Sequence, residues 1–521
     1  MPDVKIMATA ALACVALPIA AGAVDATPSP PPRQYAQVSQ RAAPPSLDLN
    51  SPPASRATVP TSAIPGTPNA VSPEGLSPRP GDNTTGDQTL QQTPTPISPP
   101  PRIGLFPEFG NRLLQNGIDL HVLMFDHFLA NPTAGVQPGH TANLGAFRPV
   151  VDLDLEKLIG VPGGNVHFGM TFFGLRGDIP QIITQAGGQL TGFQTTPATQ
   201  TNIVSLFTYE QRLLGGRLSI EAGRTNVYNY FFLPNSLDPF AHFSSTLQVN
   251  SDFPSAPYPV WGGRATYKLT PTWYLQGGVF EDNYRSATGY GDRLGGHLSS
   301  GASFLAEIGQ RSEFTNAAYP SNLEAGIEWN TRHGRSNLPG TGAPAIPLLE
   351  RTNYPGGGVA YFQGLQTVWR GAKRDLGPPA NIALYGSADF ALQTPRPISL
   401  DAIAGVNFTG FIPGRPFDAL GLQAHYQKLS EAEVQSETFR QNIIDGRGPR
   451  QRSSNYAYEI VGNIQVTPAI AFRPIAEYFV KPDNYYPPAA GRNMRPHDGW
   501  EAGFFAVVSL GRLLGTSLKP N

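Results

Sequence analysis

The stretch Asn322–Asn330, with the sequence NLEAGIEWN, carries the pattern that decides the fold. Its apolar side chains alternate with polar or small ones: Leu323, Ala325, Ile327 and Trp329 against Glu324, Gly326, Glu328 and Asn330. Successive side chains of a β-strand point to opposite faces, so this stretch predicts a strand with one apolar and one polar face. The same alternation recurs in 165–172, 420–427 and 500–510.

Reading the whole chain for this period predicts sixteen strands. The predicted strands are 118–128, 149–155, 165–173, 203–210, 217–223, 262–269, 272–280, 302–310, 322–330, 358–369, 381–390, 400–411, 418–428, 454–466, 468–480 and 499–510. The connections after odd-numbered strands are long and those after even-numbered strands are short, except after the eleventh strand. Such a segregation of long loops and tight turns is typical of an outer-membrane barrel.

A barrel in lipid also satisfies the backbone, because only helices and closed sheets pair every polar group inside hydrocarbon. No stretch of 18 apolar residues follows residue 102, so spanning helices are not expected. Strand 322–330 extends about 30 Å and, tilted, covers the apolar band of an outer membrane. The apolar faces should then meet lipid and the polar faces a wide aqueous lumen. Aromatic residues near strand ends fit the two membrane interfaces: Trp273, Trp329, Trp369, Tyr456, Tyr478 and Trp500.

The N-terminal part has a different composition. Lys5, the apolar run 6–20 and the small residues Ala21-Gly22-Ala23 predict a cleaved signal peptide over 1–26. Nineteen prolines fall within 28–101, and such a segment cannot bury enough apolar surface to fold. We therefore expect a disordered proline-rich spacer over 27–101 and the barrel over 102–521.

Composition excludes several classes of protein. The 521 residues include 56 Gly and 53 Pro, and only 14% are charged, which disfavours a helical enzyme core. The net charge of −1 gives no basic field for nucleic acid. The one cysteine, Cys14, falls in the predicted leader, so thiolate metal sites and disulfides are not expected. No G-x-S-x-G, H-E-x-x-H or P-loop motif occurs, so we predict no catalytic residue, metal or cofactor.

Several motifs, in order along about 103–510, resemble the carbohydrate-selective porins of the OprB family. They are the strand and turn 151–164 (VDLDLEKLIGVPGG), the segment 223–240 with Gly223-Arg224-Thr225-Asn226 and Asn235-Ser236-Leu237-Asp238, the stretch 259–271, and the closing hairpin 466–484. The resemblance implies a sixteen-stranded diffusion channel for sugars, with Arg224, Asn226, Asn235 and Asp238 in a family-motif loop. Two features depart from the family pattern: the proline-rich spacer, and a continuation past Leu510.

Polar residues on the predicted inner faces are the candidates for lining the pore, since sugar hydroxyls need hydrogen-bonding partners. They are Glu221, Arg264, Lys268, Glu307, Glu324, Glu328, Asp389, His425, Glu459, Arg473 and Glu477. Charges of both signs on one wall predict little charge selectivity. The connection 224–261 is the longest, and either folds inward to narrow the pore or forms an external lid. Asp152 and Asp154 are predicted to face the lumen or a turn.

The leading hypothesis is a passive sugar porin of the outer membrane, with small sugars and membrane lipid as partners and homo-oligomerisation left open. Two alternatives come from other classes. A barrel hydrolase would need a Ser–His pair, with His167 or His425 as the histidine. A secreted β-rich protein that binds or cleaves glycans would be extracted without detergent.

Overall fold

The computed structural model describes residues 104–135, 137–176, 202–232, 253, 258–282, 301–314, 316–331, 334–336, 352–354, 356–374, 378–392, 398–435, 438, 452–482 and 496–517. The predicted leader and spacer lie outside these residues. All described residues belong to one compact unit, Ile64–Asn521.

Sixteen antiparallel strands form a closed barrel, as predicted. They are β1 (Ile118–Asn131), β2 (His140–Asp154), β3 (Gly164–Arg176), β4 (Asn202–Leu213), β5 (Leu218–Thr225), β6 (Val260–Lys268), β7 (Trp273–Glu281), β8 (Ala302–Arg311), β9 (Ser321–Asn330), β12 (Gly357–Arg370), β13 (Asn381–Ala391), β14 (Ile398–Thr409), β15 (Ala419–Leu429), β16 (Ser454–Thr467), β17 (Ile470–Val480) and β18 (Gly499–Ser509). A separate two-stranded sheet pairs β10 (Gly334–Ser336) with β11 (Thr352–Tyr354). The barrel closes where β1 pairs with β18, with Phe125 opposite Val507.

Several predicted boundaries differ from the observed ones, and three of these differences matter for the fold. β2 begins at His140 rather than at 149, so the first connection is short. The part of β2 that was not predicted has Ala142 and Leu144 on the inner face and Asn143 on the outer face, which is the reverse of the expected polarity. Arg224 lies in β5 rather than in a loop, because β5 continues to Thr225. Leu510 starts a helix instead of ending the last strand.

Three short α-helices lie at the end of the barrel that carries the short turns. They are α1 (Pro107–Gln115), α2 (Leu155–Ile159) and α3 (Leu510–Leu514). Asp154 caps α2 by accepting from the backbone N–H groups of Glu156 and Lys157, which settles its place in a turn. None of the helices among the described residues is long and apolar enough to cross a membrane.

The two ends of the barrel domain are clasped together beneath β1. The backbone N–H of Leu105 donates to Leu513 O at 2.8 Å, and Phe106 N–H donates to Leu514 O at 2.9 Å. A Cβ atom on Gly110 would lie 1.7 Å from Gly515 O, so only glycine permits this approach. Residues 513–515 therefore hold the segment that precedes β1.

The outer face of the barrel is apolar and carries an aromatic belt at each end. All five tryptophans lie near strand ends and are 38–49% exposed: Trp261, Trp329 and Trp500 towards the long connections, Trp273 and Trp369 towards the short turns. Exposed Phe, Leu and Ile side chains fill the band between them. This distribution matches an acyl-chain environment with two polar interfaces.

The inner face is less uniformly polar than expected. Strands β1–β4 and β16–β18 turn a buried apolar cluster inwards, together with Tyr258 from the connection before β6: Leu123, Phe125, Leu129, Ala142, Leu144, Ala146, Phe173, Ile203, Tyr258, Val461, Ile475, Phe505 and Val507. His127 stacks on Phe505 within it, at 3.6 Å between ring centroids. The inside of the barrel is thus divided into an apolar wall and a polar wall.

Candidate functional site

The polar wall is centred on β4–β9, and one of its anchors is an ion pair between neighbouring strands. Glu221 in β5 lies opposite Arg264 in β6. Arg264 donates to Glu221 Oε2 through Nε at 3.2 Å and Nη2 at 2.9 Å. Thr208 in β4 donates to the other oxygen at 2.6 Å. With its charge and both oxygens satisfied, the buried Glu221 is held in one position.

A second cluster brings two carboxylates to one tyrosine. Tyr274 Oη lies 3.1 Å from Glu307 Oε1 and 2.9 Å from Glu324 Oε1. Gln276 donates to Glu307 at 2.7 Å, Tyr361 also donates to Glu307, and Arg311 pairs with Glu324 at 3.2 Å. The cluster joins four neighbouring strands, β7, β8, β9 and β12. Thr266 of β6 accepts from Arg264 at 2.8 Å and donates to Gln276 at 3.3 Å, which links the cluster to the Glu221 pair.

Glycines opposite these tyrosines explain how the rings fit. Tyr274 lies opposite Gly309, and Tyr361 lies opposite Gly326. A Cβ atom at Gly309 would lie 2.1 Å from the Tyr274 ring, and one at Gly326 would lie 2.4 Å from the Tyr361 ring. Each ring therefore lies flat over a glycine, which aims its hydroxyl along the wall at the carboxylates.

The polar wall continues through β4 to β2. Glu210 pairs with Arg212 at 2.8 Å and accepts from Ser219 at 2.6 Å. His167 Nδ1 lies 2.7 Å from Asp152 Oδ1, and its Nε2 lies 3.7 Å from Glu210. Asp152 thus faces the lumen, which is one of the two orientations predicted for it.

The start of the connection after β5 folds into the barrel. A 3₁₀ turn, Val227–Asn229, follows β5, and Val227, Tyr228, Tyr230, Phe231 and Phe232 are all buried. They pack on inward residues of β7, β8 and β12, with 4.7 Å between the ring centroids of Phe232 and Tyr361. We call residues 226–232 the inward segment. The described part of the long connection therefore lies inside the lumen.

Two side chains fix the inward segment. Asn226 Oδ1 accepts from Tyr228 N at 3.0 Å, and its Nδ2 donates to Tyr258 O at 2.8 Å, which joins the two ends of the connection. Tyr230 donates to Glu221 at 2.5 Å, and the Arg264 guanidinium lies 3.9 Å from its ring centroid. Burial, and then the charge of Glu221, raise the pKa of the Tyr230 phenol well above its ordinary value, so it stays a neutral donor.

All eleven predicted lumen residues lie on inward positions of their strands. Nine are buried and two, Arg264 and Lys268, are partly exposed. The structure gathers Glu221, Arg264, Glu307 and Glu324 in the polar wall. Of the other seven, Lys268 lies at the end of β6 and Glu328 in β9. Five lie on strands outside β4–β9: Asp389 in β13, His425 in β15, Glu459 in β16, and Arg473 and Glu477 in β17.

Some of these outlying residues have partners that the sequence did not indicate. His425 Nε2 lies 2.9 Å from Asp401 Oδ2, and Gln427 donates to the same oxygen at 2.7 Å. Arg473 donates to Asn463 at 2.8 Å. In the family-motif loop, Arg224 and Asn226 are buried, whereas Asn235 and Asp238 lie outside the described residues.

Among the polar residues of the inner walls that the sequence analysis did not name are Glu210, Arg212, Tyr274, Arg311 and Asp401. All have inward-facing positions. Three lie within predicted strands, and Arg212 and Arg311 lie one or two residues beyond the predicted ends. The short turn between β6 and β7 could have fixed the register of these two strands, which places Gln276 beside Thr266. Among the described residues, no group of three His, Cys, Asp or Glu side chains is placed to hold a metal ion.

A closed sixteen-stranded barrel with an apolar exterior, a polar inner wall and an inward loop segment defines the class of diffusion channels of the outer membrane. Comparison with known proteins gives the family. The sequence profile of the carbohydrate-selective porin, OprB family, matches residues 140–497. The chain belongs to this family.

Individual relatives are distant in sequence. Porin B of Pseudomonas aeruginosa is 23% identical over 390 residues, which cover 71% of this chain and 84% of that protein. The high-pH structure of Pseudomonas putida OprB superposes with a TM-score of 0.61 at 16% identity, over 77% of this chain and 96% of that one. Its low-pH structure gives a TM-score of 0.46 at 14% identity, with 77% and 95% covered.

Proposed function

We propose that this porin lets small sugars diffuse passively through its lumen, and that the inward segment and the polar wall set what passes. The observation that carries the proposal is the packing of residues 226–232 on the inner faces of β7, β8 and β12. A segment held there narrows the channel beside the Glu221–Arg264 and Glu307–Glu324 groups. A solute that passes must exchange water for contacts with these side chains.

The chemistry of the polar wall suits uncharged polyols. Carboxylates and amides accept or donate hydrogen bonds to hydroxyl groups, and the tyrosines and phenylalanines of the inward segment add apolar surface for ring faces. Weak contacts at several positions favour entry without preventing exit, as conduction requires. Because Glu221 and Glu324 are each paired with an arginine, part of the negative charge of the wall is neutralised.

Planar-bilayer recording tests this proposal. Purified protein should give steady conductance that falls in a saturable way as a monosaccharide or disaccharide is added. Glu324→Gln, which removes the ion pair with Arg311, should weaken the sugar block, whereas Lys157→Gln in α2 should leave it unchanged. Conductance without any block by sugars at high concentration would contradict the carbohydrate preference but not the channel.

We also propose that the chain reaches the outer membrane through a signal peptide cleaved near residue 26 and acts without enzymatic chemistry. Family membership and the barrel support an outer-membrane setting. N-terminal sequencing of protein from the membrane fraction would test the cleavage, and an intact Met1 would refute it. A mobility shift between unboiled and boiled samples on gels would report the closed barrel.

Homo-oligomerisation is proposed at the outer wall of β1 and β2. Asp126 faces outwards there and is hydrogen-bonded by Asn143. By the strand register it lies six residues further into the membrane than Trp500. A carboxylate at this depth is costly against acyl chains, so a facing protein surface would stabilise it. Asp126→Leu should shift a detergent-solubilised oligomer towards monomer on gel filtration; a wild-type protein that is already monomeric would contradict this contact.

A further inference from the structure

A cavity lies at the rim of the barrel that carries the long connections. It has a volume of about 820 Å³ and lies where β14, β15, β16 and β17 meet the long connections. Three cations line it, Lys428, Arg452 and Lys481, together with the hydroxyls of Ser399 and Ser454 and one carboxylate among its described lining residues, Glu431. Three positive groups against one negative group among the lining residues favour an anion, and Asp498 lies beside them, accepting from Lys481 N at 2.9 Å.

The strand register fixes the position of this cavity on the membrane-facing side. Lys428 lies opposite Ser454 in the next strand, and both alternate with inward residues, Gln427 and Asn455, that are buried. On the other side, Ser399 Oγ donates to the backbone oxygen of Lys428 at 3.0 Å. Lys481 Nζ lies 5.7 Å from the ring centroid of Tyr456, which is itself an outward residue. Lys428 and Ser454, two of its lining residues, therefore face away from the pore.

Its depth is fixed by the aromatic belt directly below it. Tyr426 and Tyr456 lie two residues further into the membrane than Lys428 and Ser454, with 5.3 Å between their ring centroids. Tyr478 and Trp500 continue the belt, at 5.0 Å. Two residues of a tilted strand correspond to about 5 Å along the membrane normal. The cations are thus at the level of lipid headgroups, just outside the hydrocarbon.

We propose that this cavity binds the phosphate groups of a phosphorylated glycolipid in the outer leaflet. A guanidinium group binds phosphate through two parallel hydrogen bonds, and ammonium groups add charge. Basic pockets beside interfacial aromatic rings hold lipid headgroups in this way, with the acyl chains lying along the apolar wall below. A soluble anion would lack that second contact. Glu431, which accepts from Gln435 at 3.1 Å, forms the polar edge of the site.

The test compares lipid binding to the full-length protein and to charge variants. Bisphosphorylated lipid A is added to protein in detergent, and the bound fraction is measured by native mass spectrometry. Lys428→Gln, Arg452→Gln and Lys481→Gln should each weaken binding about 5-fold, and the triple variant about 100-fold. Monophosphorylated lipid A should bind more weakly than the bisphosphorylated form, and an excess of inorganic phosphate should displace little of it.

The opposite rim supplies a matched control. Arg217 lies over the ring of Tyr267, 5.3 Å from its centroid, at the end with short turns. Arg217→Gln should leave binding unchanged, which separates this site from general basic attraction. Equal binding by the wild type and the triple variant overturns the proposal, and so does full displacement by inorganic phosphate. Should the triple variant fail the gel mobility test for a folded barrel, the single variants decide the matter.

Discussion

Asn226 joins the two ends of the connection that enters the lumen, so its removal gives the sharpest test of how the channel is narrowed. Its side chain is buried and makes two hydrogen bonds, from Tyr228 N at 3.0 Å and to Tyr258 O at 2.8 Å. Asn226→Ala deletes both and leaves a buried N–H and a buried C=O without these partners. Each loss costs about 1–2 kcal/mol, or about 2–4 kcal/mol together.

A change of that size shifts the equilibrium between the attached and the detached inward segment about 30- to 700-fold towards detachment from the barrel wall. The residues after β5 would then spend measurable time away from the wall, and the barrel itself, paired along all sixteen strands, would stay closed. We expect larger single-channel conductance, more current noise and weaker block by sugars. Planar-bilayer recording of single channels measures all three.

Asn381→Ala is the matched control for this experiment. Asn381 is also buried and also donates to a backbone oxygen, Pro379 O at 2.9 Å, but at the end of the barrel with short turns. Its removal should affect stability without changing conductance. Equal conductance and noise in Asn226→Ala and in the wild type would refute our account of the narrowing, and an equal effect of Asn381→Ala would show that it is not local.

Three further predictions follow from close contacts and from one titration. Gly326→Ala should displace the tyrosine ring that lies over it and raise conductance noise in bilayers, whereas Gly277→Ala, whose Cβ would meet nothing closer than 3.4 Å, should not. Gly110→Ala should lower the temperature at which the folded band is lost on gels, because its Cβ would overlap a backbone oxygen at 1.7 Å; Gly174→Ala, with open space around it, should leave that temperature unchanged. Since the pKa of Tyr230 is raised above its ordinary value of 10.0, the stability from its neutral hydroxyl is fully present below pH 10 and is lost as the pH rises further. Conductance should therefore be constant from neutral pH to about 10 and rise only above it, and a step below pH 9 would contradict this assignment.

The sequence predicted the strands well because lipid imposes a strict rule on each of them. In β9, for example, Leu323, Ile327 and Trp329 can face only acyl chains and Glu324 and Glu328 only the interior, so the local pattern fixes the orientation. The rule weakens where the interior is itself apolar. The first half of β2 was missed for that reason, since Leu144 points inwards into the apolar cluster and the alternation there has the reverse of the expected polarity.

The candidate site shows the same division. Alternation alone placed Glu221, Arg264, Glu307 and Glu324 on inner faces, because the side-chain period of a strand is two whatever its neighbours are. Their pairing needed the register between strands. Tyr274 reaches both Glu307 and Glu324 because Gly309 of the next strand lies opposite its ring, and nothing local to either strand indicates this.

The chain by itself determined the strand number, the outward and inward faces, and the membrane setting, because each depends on side chains a few residues apart. Tertiary structure alone decided how the inside is partitioned: which wall is apolar, which carboxylates share a tyrosine, where residues 226–232 lie, and how Gly110 and Gly515 clasp the ends. These features arise from contacts between residues distant in sequence, and closure of the barrel is what brings such residues within reach of one another.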